Sequence, residues 1–328
     1  MNKTPTLSIA IPTYNRRDDL LRCLSSVLPQ LTDDVELLVV DNASDIPVSS
    51  FVDHPRVRIV RNPINIGAVG NLLRTFELAN ADWVWLIGDD DEANPTGVAT
   101  ILSHIACLPE AGHIFFSNYM GVIDTTQIAK GDDAFIACYR VQDFGARLWM
   151  SGQVLNRRVA AGNLRYAYAY PSSSPQLVLA LLAARSEAVV FSESEIAIHH
   201  SAAYHEMWDP YTIYDQMTQM LSLNIGGKLR SHMARCFFSF FSNYDKHFLE
   251  VLHTRFADAE RLNEMRRIFM LRWQAIFSCF DNYQSLLADL HGKVAVLDNP
   301  QHAETYYAQL SEQQKSMLWP SARVGYVK

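Results

Sequence analysis

Three consecutive aspartates, Asp89, Asp90 and Asp91, follow the apolar residues 83–87. Such an apolar run is typical of a strand buried on both faces, which predicts that the aspartates emerge together at its C-terminal end. Open α/β sheets bind their ligands at that end. Adjacent carboxylates repel one another, so an ordered site needs a cation, and oxygen ligands favour Mg²⁺ or Mn²⁺. A solvated acidic turn is the alternative for such a triplet.

The elements that must position this triplet are strands and helices in alternation. Apolar runs predict strands at 7–12, 35–40 and 57–60, and apolar periodicity predicts helices at 18–28 and within 65–79. This spacing indicates βαβ units on a parallel sheet. Polar residues stand at the predicted strand ends, at Tyr14-Asn15, Asp41-Asn42 and Asn62, as a nucleotide-binding crevice requires.

The chain beyond the triplet continues with mixed elements up to about residue 211. We predict helices at 95–108, 144–155 and 176–184 and strands at 113–117, 166–170, 188–191 and 196–198, with 121–133 irregular. Strand signals are few after residue 211. The sequence therefore predicts an α/β domain over 1–211 and a mainly helical C-terminal region over 212–328.

Composition excludes several classes of protein. The 328 residues are 49% hydrophobic and 19% charged, as in a globular enzyme, and the net charge of −7 gives no signal for nucleic acid. Five cysteines without a CxxC pair fit a reducing cytosol. The polar N-terminus is unlike a signal peptide, and no apolar run approaches the ~20 residues of a membrane span.

The C-terminal region combines positive charge with aromatic residues. Residues 225–274 carry a net charge of +4. Its clustered aromatic residues include Phe237, Phe238, Phe240, Phe241, Phe248, Phe269, Trp273 and Phe277. A basic, apolar helical surface predicts peripheral contact with an anionic membrane, while a homo-oligomer through these helices or simple internal packing would bury the same side chains.

Four segments in order resemble glycosyltransferase family 2 over residues 7–118. They are residues 9–16 (IAIPTYNR), residues 38–45 (LVVDNASD), Asn65-Ile66-Gly67 with Asn71, and Asp89-Asp90-Asp91 with Pro95. The resemblance implies a GT-A fold, a nucleotide-sugar donor, a divalent cation (Mn²⁺ or Mg²⁺) and transfer with inversion. The arrangement is also similar to the O-antigen and other surface-polysaccharide sugar transferases of bacteria, whose acceptors are saccharides, some of them lipid-linked. A cytoplasmic enzyme, with the inner membrane face as its place of contact, is the corresponding expectation.

The same resemblance implies roles for individual residues. The nucleotide-sugar would be bound by Pro12, Thr13, Tyr14, Asn15, Asp41, Asn65, Gly67, Asn71 and Asp89. Tyr14 would stack on the base and Asp41 would accept a hydrogen bond from the base or ribose. Asp90 and Asp91 would be metal ligands, with Asp89 or Asp91 as the ribose contact. His200 would complete the metal site; His199 and His205 are the neighbouring alternatives.

Two departures from the family pattern affect the site. Aligned on Pro95, the family's usual first aspartate falls on Gly88. The region where inverting members place a catalytic carboxylate reads Ser173-Ser174-Pro175-Gln176 and contains none. The general base therefore stays unassigned, with carboxylates in predicted loops as alternatives: Asp132, Asp133, Glu206 and Asp209.

Two other functions compete with a metal-dependent glycosyltransferase. A non-catalytic nucleotide-sugar-binding or assembly subunit of a polysaccharide synthesis complex would keep the crevice without a base. A sugar nucleotidyltransferase would need a glycine-rich phosphate loop after the first strand, and residues 12–15 (PTYN) do not provide one.

Overall fold

The computed structural model describes residues 4–170, 174–200, 218–242, 271 and 273–288. The chain divides into two compact units, residues 1–202 and 203–328. The first unit contains every described strand. The predicted boundary near residue 211 lies outside the described residues and stays a prediction.

An eight-stranded mixed sheet forms the first unit, in the order β3-β2-β1-β4-β8-β6-β9-β7. Strands β3, β2, β1, β4, β6 and β9 are parallel to one another, and β8 and β7 run in the opposite direction. A short antiparallel pair, β5 and β10, stands apart from this sheet. The strands are β1 Leu7–Thr13, β2 Val35–Asp41, β3 Val57–Arg61, β4 Trp83–Leu86, β5 Glu92–Ala93, β6 Ala111–Phe116, β7 Gln127–Lys130, β8 Gln153–Asn156, β9 Ala188–Ser192 and β10 Ala197–Ile198.

Six helices belong to the described part of this unit. They are α1 Arg17–Val27, α2 Gly67–Leu78, α3 Gly97–Cys107, α4 Asp132–Cys138, α5 Arg157–Ala169 and α6 Pro175–Ala183. Helix α1 turns its apolar residues, among them Leu20 and Leu24, into a core shared with Ile9 and Trp85 of the sheet. The predicted α/β class, with a GT-A type mostly parallel sheet, is confirmed by this arrangement and by the structural comparison below.

The continuous apolar runs were reliable predictors, because strands covered on both faces need no polar side. Strands β1, β2, β3 and β4 begin where the sequence predicts. Helix α6 begins at Pro175, one residue before its predicted start, with proline in its first turn.

Two predicted elements are wrong. The helix expected over 144–155 is two short 3₁₀ turns followed by β8, and the strand expected over 166–170 lies at the end of α5. Strand β8 (QVLN) is fully buried between β4 and β6, and its four residues are too few to show a period that separates strand from helix. Helix α5 begins because the Asn156 side chain caps the Arg158 N–H, and Ala160 and Ala167, seven residues apart, are its buried residues.

Residues 121–133 are more regular than expected. They contain β7, the edge strand of the sheet, and the first residues of α4. Asp132 and Asp133 therefore lie in the first turn of a helix and not in a loop.

The second unit contains one helix with described bounds, α7, at Gly227–Ser242. Phe237, Trp273 and Phe277 are buried, and Phe238 packs against Trp273 with ring centroids 5.8 Å apart. Phe238, Trp273 and Phe277 contact one another within this unit. The remaining aromatic residues of the stretch include several outside the described side chains, so contact with lipid or a second copy stays a prediction. Within the described residues, no helix has the length and apolar character needed to span a membrane.

Candidate active site

The C-terminal ends of β1 and β2 lie side by side and form one wall of the candidate site. Because these strands are parallel neighbours, Thr13 pairs with Asp41. Asn15 adopts a left-handed backbone at φ 54° and receives a hydrogen bond from the Asp45 N–H through its side-chain oxygen, at 2.8 Å. The Ser44 hydroxyl accepts from the Asn15 N–H at 2.9 Å. The two loops are thus fixed to one another.

Asp41 holds the second of these loops in place. Its carboxylate is buried and accepts from the Ser44 N–H at 2.8 Å, from the Val48 N–H at 3.3 Å and from the Arg61 guanidinium. Burial would raise the pKa of Asp41, but these hydrogen bonds outweigh it and the pKa lies below its usual value. Its contact with the nucleoside stays a prediction.

A network of asparagine amides forms the floor beside α2. Asn62 donates to the side-chain oxygens of Asn42 and Asn71, at 3.0 and 2.9 Å. Asn42 in turn donates to the Asn65 side chain at 2.8 Å, which accepts from the Gly67 N–H at 2.8 Å. Gly67 opens α2 at φ 80°, a conformation that favours glycine. The predicted residues Asn65, Gly67 and Asn71 are therefore brought together, with Asn42 and Asn62 as members that the resemblance did not single out.

The three aspartates lie at the end of β4, as expected, but they point to different partners. Asp89 is buried and accepts from the Thr13 hydroxyl at 2.7 Å and from Arg16 at 3.3 Å. Asp90 accepts from the same Arg16 nitrogen at 2.7 Å. Burial raises the pKa of Asp89 to about 7, against the lowering influence of Arg16 and Thr13. Arg16 thus offsets charge on two of the three carboxylates.

Asp91 is turned towards the opposite wall, formed by the residues just before β8. Its Oδ2 accepts from the Ser151 hydroxyl at 2.6 Å and from the Trp149 indole N–H at 2.8 Å. The Nδ1 of His199 lies 3.1 Å from Oδ1. Burial raises the pKa of Asp91, and the charge of Asp90 adds to the rise, while these partners oppose it. Sequence spacing gave no signal for Trp149 and Ser151.

Gly88 stands where the first aspartate of the family motif is expected, and the structure leaves little room for a side chain there. A Cβ at position 88 would lie 2.7 Å from Asp90 Oδ1 and 3.1 Å from Asp91 Oδ2. The carboxylates of Asp90 and Asp91 therefore border the space beside residue 88. Two carboxylate oxygens thus flank one point at the end of β4.

The carboxylates of the triplet fit a cation whose remaining ligands come from the substrate, and not a cation that is held by protein side chains alone. Within the described part of the chain, no group of three His, Cys, Asp or Glu side chains is arranged to hold a metal. Mg²⁺ and Mn²⁺ are commonly bound through one or two carboxylates together with substrate phosphates. Asp90 and Asp91, which flank the space over Gly88, provide two such carboxylates.

The two histidines after β10 take different positions. His199 contacts Asp91 and stacks on Tyr119 with ring centroids 4.2 Å apart. The Nε2 of His200 lies 3.0 Å from a Glu92 oxygen, and its backbone N–H is directed at Asp91 from 3.4 Å. The side chain of His199, and not that of His200, therefore reaches the triplet in this structure. The metal role of His200 stays a prediction, and His205 is outside the described residues.

Helix α6 begins near this wall but brings no carboxylate to it. Gln176 of its first turn donates to the Leu148 carbonyl at 2.8 Å. Asp132 and Asp133 follow β7, which is four strands from β4, or about 19 Å at ordinary strand spacing. The end of β7 pairs with Ala188, at the start of β9, so both aspartates lie at the opposite edge of the sheet. The structure does not bring them to the site; Glu206 and Asp209 are outside the described residues.

Known proteins share both the sequence pattern and the fold. Residues 8–160 match the family described as Glycosyl transferase family 2. The chain is 24% identical over 256 residues to the putative colanic acid biosynthesis glycosyl transferase WcaA of Escherichia coli K12, covering 75% of this chain and 83% of WcaA. It is 32% identical to the abequosyltransferase RfbV of Salmonella typhimurium, over 30% of this chain and 32% of RfbV.

The same fold occurs in a crystal structure of S. aureus TarS, residues 1–349, in complex with UDP-GlcNAc. The TM-score is 0.62 at 15% identity, over 93% of this chain and 92% of that chain. This likeness and the mostly parallel mixed sheet identify the fold as GT-A. Residues 8–160 of this chain form a glycosyltransferase family 2 domain.

Proposed function

We propose that this enzyme transfers a sugar from a nucleotide-sugar donor to a saccharide acceptor during the synthesis of a bacterial surface polysaccharide. The observation that carries the proposal is the cluster of polar side chains at the C-terminal ends of β1, β2 and β4, which includes Asp89, Asp90 and Asp91. The similarity to WcaA and RfbV supports the polysaccharide assignment.

The nucleoside half of the donor would lie over the ends of β1 and β2. Tyr14 stands at the end of β1 with 39% of its surface exposed, which leaves ring area for stacking on a base. Pro12 and Thr13 belong to the end of β1, and the loops at Asn15 and Asp41 are fixed to each other by hydrogen bonds. A rigid wall of this kind lowers the entropy cost of ordering the site around the donor.

The diphosphate would lie over the end of β4, between Arg16 and the triplet. Asp90 and Asp91 are the residues that would hold Mn²⁺ or Mg²⁺ together with the phosphates. When bound, the cation offsets the negative charge that develops on the leaving diphosphate. Asp89, hydrogen-bonded to Thr13, is placed beneath this point and would contact the ribose.

The acceptor would approach from the side of Tyr119 and α6. Tyr119 is 58% exposed and stands next to Trp149, with ring centroids 5.6 Å apart. Attack from this side, opposite the leaving diphosphate, would invert the anomeric carbon. A lipid-linked saccharide acceptor would place the enzyme in the cytoplasm at the inner membrane face, since such acceptors are presented there.

A donor-hydrolysis assay tests the proposal against its main alternative. The protein would be incubated with UDP-, GDP-, CDP- and dTDP-sugars in Mn²⁺, and the released nucleoside diphosphate would be measured. We expect release from donors of one nucleotide class, and its loss on chelation of the metal. Binding of a donor without release, in the presence of a bacterial glycolipid extract as acceptor source, would instead support a non-catalytic nucleotide-sugar-binding subunit.

A further inference from the structure

Arg16 is a positively charged side chain in direct contact with two carboxylates of the triplet. A single guanidinium nitrogen lies 2.7 Å from Asp90 Oδ2 and 3.3 Å from Asp89 Oδ1, and the arginine side chain is 14% exposed. Both distances are within the range of charge-assisted contacts. The positive charge that three adjacent carboxylates require is therefore supplied, in this structure, by the chain itself.

The backbone around Arg16 explains why this side chain reaches the triplet. Arg16 is the N-cap of α1, and its carbonyl accepts from the Leu20 N–H at 3.0 Å. The preceding Asn15 is held in its left-handed conformation by the contacts with Ser44 and Asp45. Strand β1 lies directly beside β4, so the loop after β1 meets the loop after β4. The position of Arg16 is thus fixed at its backbone, while its long side chain can reorient.

A divalent cation at Asp90 and this guanidinium cannot keep the same arrangement. Both are positive, and at this separation they would repel one another in a half-buried site. A diphosphate beside the triplet offers the guanidinium two acceptor oxygens in the geometry that arginine binds best. The side chain would therefore exchange a carboxylate partner for a phosphate partner without losing a charged contact.

We infer that Arg16 is the resident counter-ion of the triplet, which competes with the divalent cation for Asp90 and moves onto the donor diphosphate when the two bind together. The inference rests on the proposed function, because it specifies how that site takes up cation and donor. It predicts opposite effects of one substitution: loss of Arg16 strengthens binding of the cation alone and weakens binding of the nucleotide.

Two titrations of the full chain test this inference. Binding of Mn²⁺ alone would be measured by the electron paramagnetic resonance signal of the free ion, and binding of the nucleoside diphosphates UDP, GDP, CDP and dTDP would be measured by calorimetry at saturating Mn²⁺. In Arg16→Gln we expect Mn²⁺ alone to bind about fivefold more tightly, because an ion pair that competes for Asp90 is absent. We expect the nucleoside diphosphate to bind about tenfold more weakly, because a charge-assisted contact is lost. Arg16→Lys should lie between wild type and Arg16→Gln in both titrations.

Arg22→Gln is the matched control. Arg22 carries the same charge and donates to the Asp90 carbonyl at 2.7 Å, but it makes no contact with that carboxylate. We expect its Mn²⁺ affinity to remain within about twofold of wild type, since exposed ion pairs have small effects. A fold defect at Arg16 would weaken both titrations together, and thermal unfolding of each variant would reveal it.

The outcomes separate the inference from the proposed function. Unchanged or weaker Mn²⁺ binding in Arg16→Gln, or an equal gain in Arg22→Gln, overturns the counter-ion role. Wild-type protein that binds no nucleoside diphosphate in Mn²⁺ contradicts the proposed function, while the Mn²⁺ titrations still decide whether Arg16 competes for Asp90.

Discussion

Loss of the Ser151 hydroxyl should lower both the stability of the fold and the affinity of the site for a nucleotide. Ser151 is fully buried, donates to Asp91 Oδ2 at 2.6 Å and accepts from the Gly88 N–H at 2.9 Å. Ser151→Ala therefore leaves a buried backbone N–H without this acceptor and removes one hydrogen bond from a buried carboxylate. Each such loss costs about 1–3 kcal/mol, so we expect the free energy of unfolding of the first unit to fall by about 2–6 kcal/mol.

The expected change is large enough for a thermal unfolding experiment. In a domain of this size, 1 kcal/mol corresponds to about 2–4 °C, so the melting temperature should fall by roughly 4–24 °C. Because Asp91 loses a donor that lowers its pKa, the carboxylate should also become less available to a cation. Nucleoside diphosphate binding in Mn²⁺ should then weaken by about tenfold or more, the ratio that corresponds to 1.4 kcal/mol.

Ser117→Ala is the matched control for this experiment. Ser117 is equally buried, and its hydroxyl accepts from the Ile123 N–H at 2.8 Å, away from the triplet. We expect Ser117→Ala to lower the melting temperature while nucleotide affinity at a temperature well below unfolding stays unchanged. The reasoning is refuted if Ser151→Ala melts within about 2 °C of wild type, or if both variants lose nucleotide binding alike.

Three further substitutions test the same description. Burial lowers the pKa of His113 to about 3, so the folded protein binds fewer protons than the unfolded chain and becomes less stable as pH falls below about 6.5. The free energy of unfolding of the wild-type protein should therefore be about 2 kcal/mol lower at pH 5 than at pH 7 from this group. His113→Gln should lack this loss when denaturant unfolding is measured at the two pH values. Gly88→Ala should push the Asp90 carboxylate aside and weaken nucleoside diphosphate binding about tenfold by calorimetry, at an overpacking cost of about 1–3 kcal/mol, and an unchanged affinity would show that Asp90 is free to move. Asp41→Ala should raise the Michaelis constant for the donor and the inhibition constant of free nucleoside diphosphate in parallel, because the loop at Ser44 loses its anchor; an effect on acceptor kinetics alone would contradict it.

The sequence predicts well those parts of the fold that depend on local pattern. Strands β1, β2 and β4 are apolar runs that end in polar residues, and their parallel pairing places Thr13, Asp41 and Asp89 at one edge. The predictions that failed concern segments whose structure depends on pairing with distant parts of the chain. Strand β8 enters the sheet between β4 and β6 against their direction, and no periodicity within four buried residues reveals that.

The partners of the triplet show the same limit. Asp91 contacts residues 58, 60 and 108 positions away, at Trp149, Ser151 and His199, so local spacing could not connect them. Arg16 belongs to the first motif but received no role from the sequence, because its function depends on the contact between the loops after β1 and β4. The carboxylates were correctly located, whereas their orientation follows from tertiary structure.

The central claim, that the triplet binds a nucleoside diphosphate together with a divalent cation, is tested most directly by calorimetry. Nucleoside diphosphate would be titrated into wild type, Asp90→Asn and Asp82→Asn, each with Mn²⁺ and with chelator. Asp82 precedes the same strand at its opposite end, where it pairs with exposed Arg158, so it controls for the loss of one carboxylate. We predict cation-dependent binding in wild type and Asp82→Asn and its loss in Asp90→Asn with the melting temperature retained. Equal affinity in all three proteins, with or without Mn²⁺, would contradict the account.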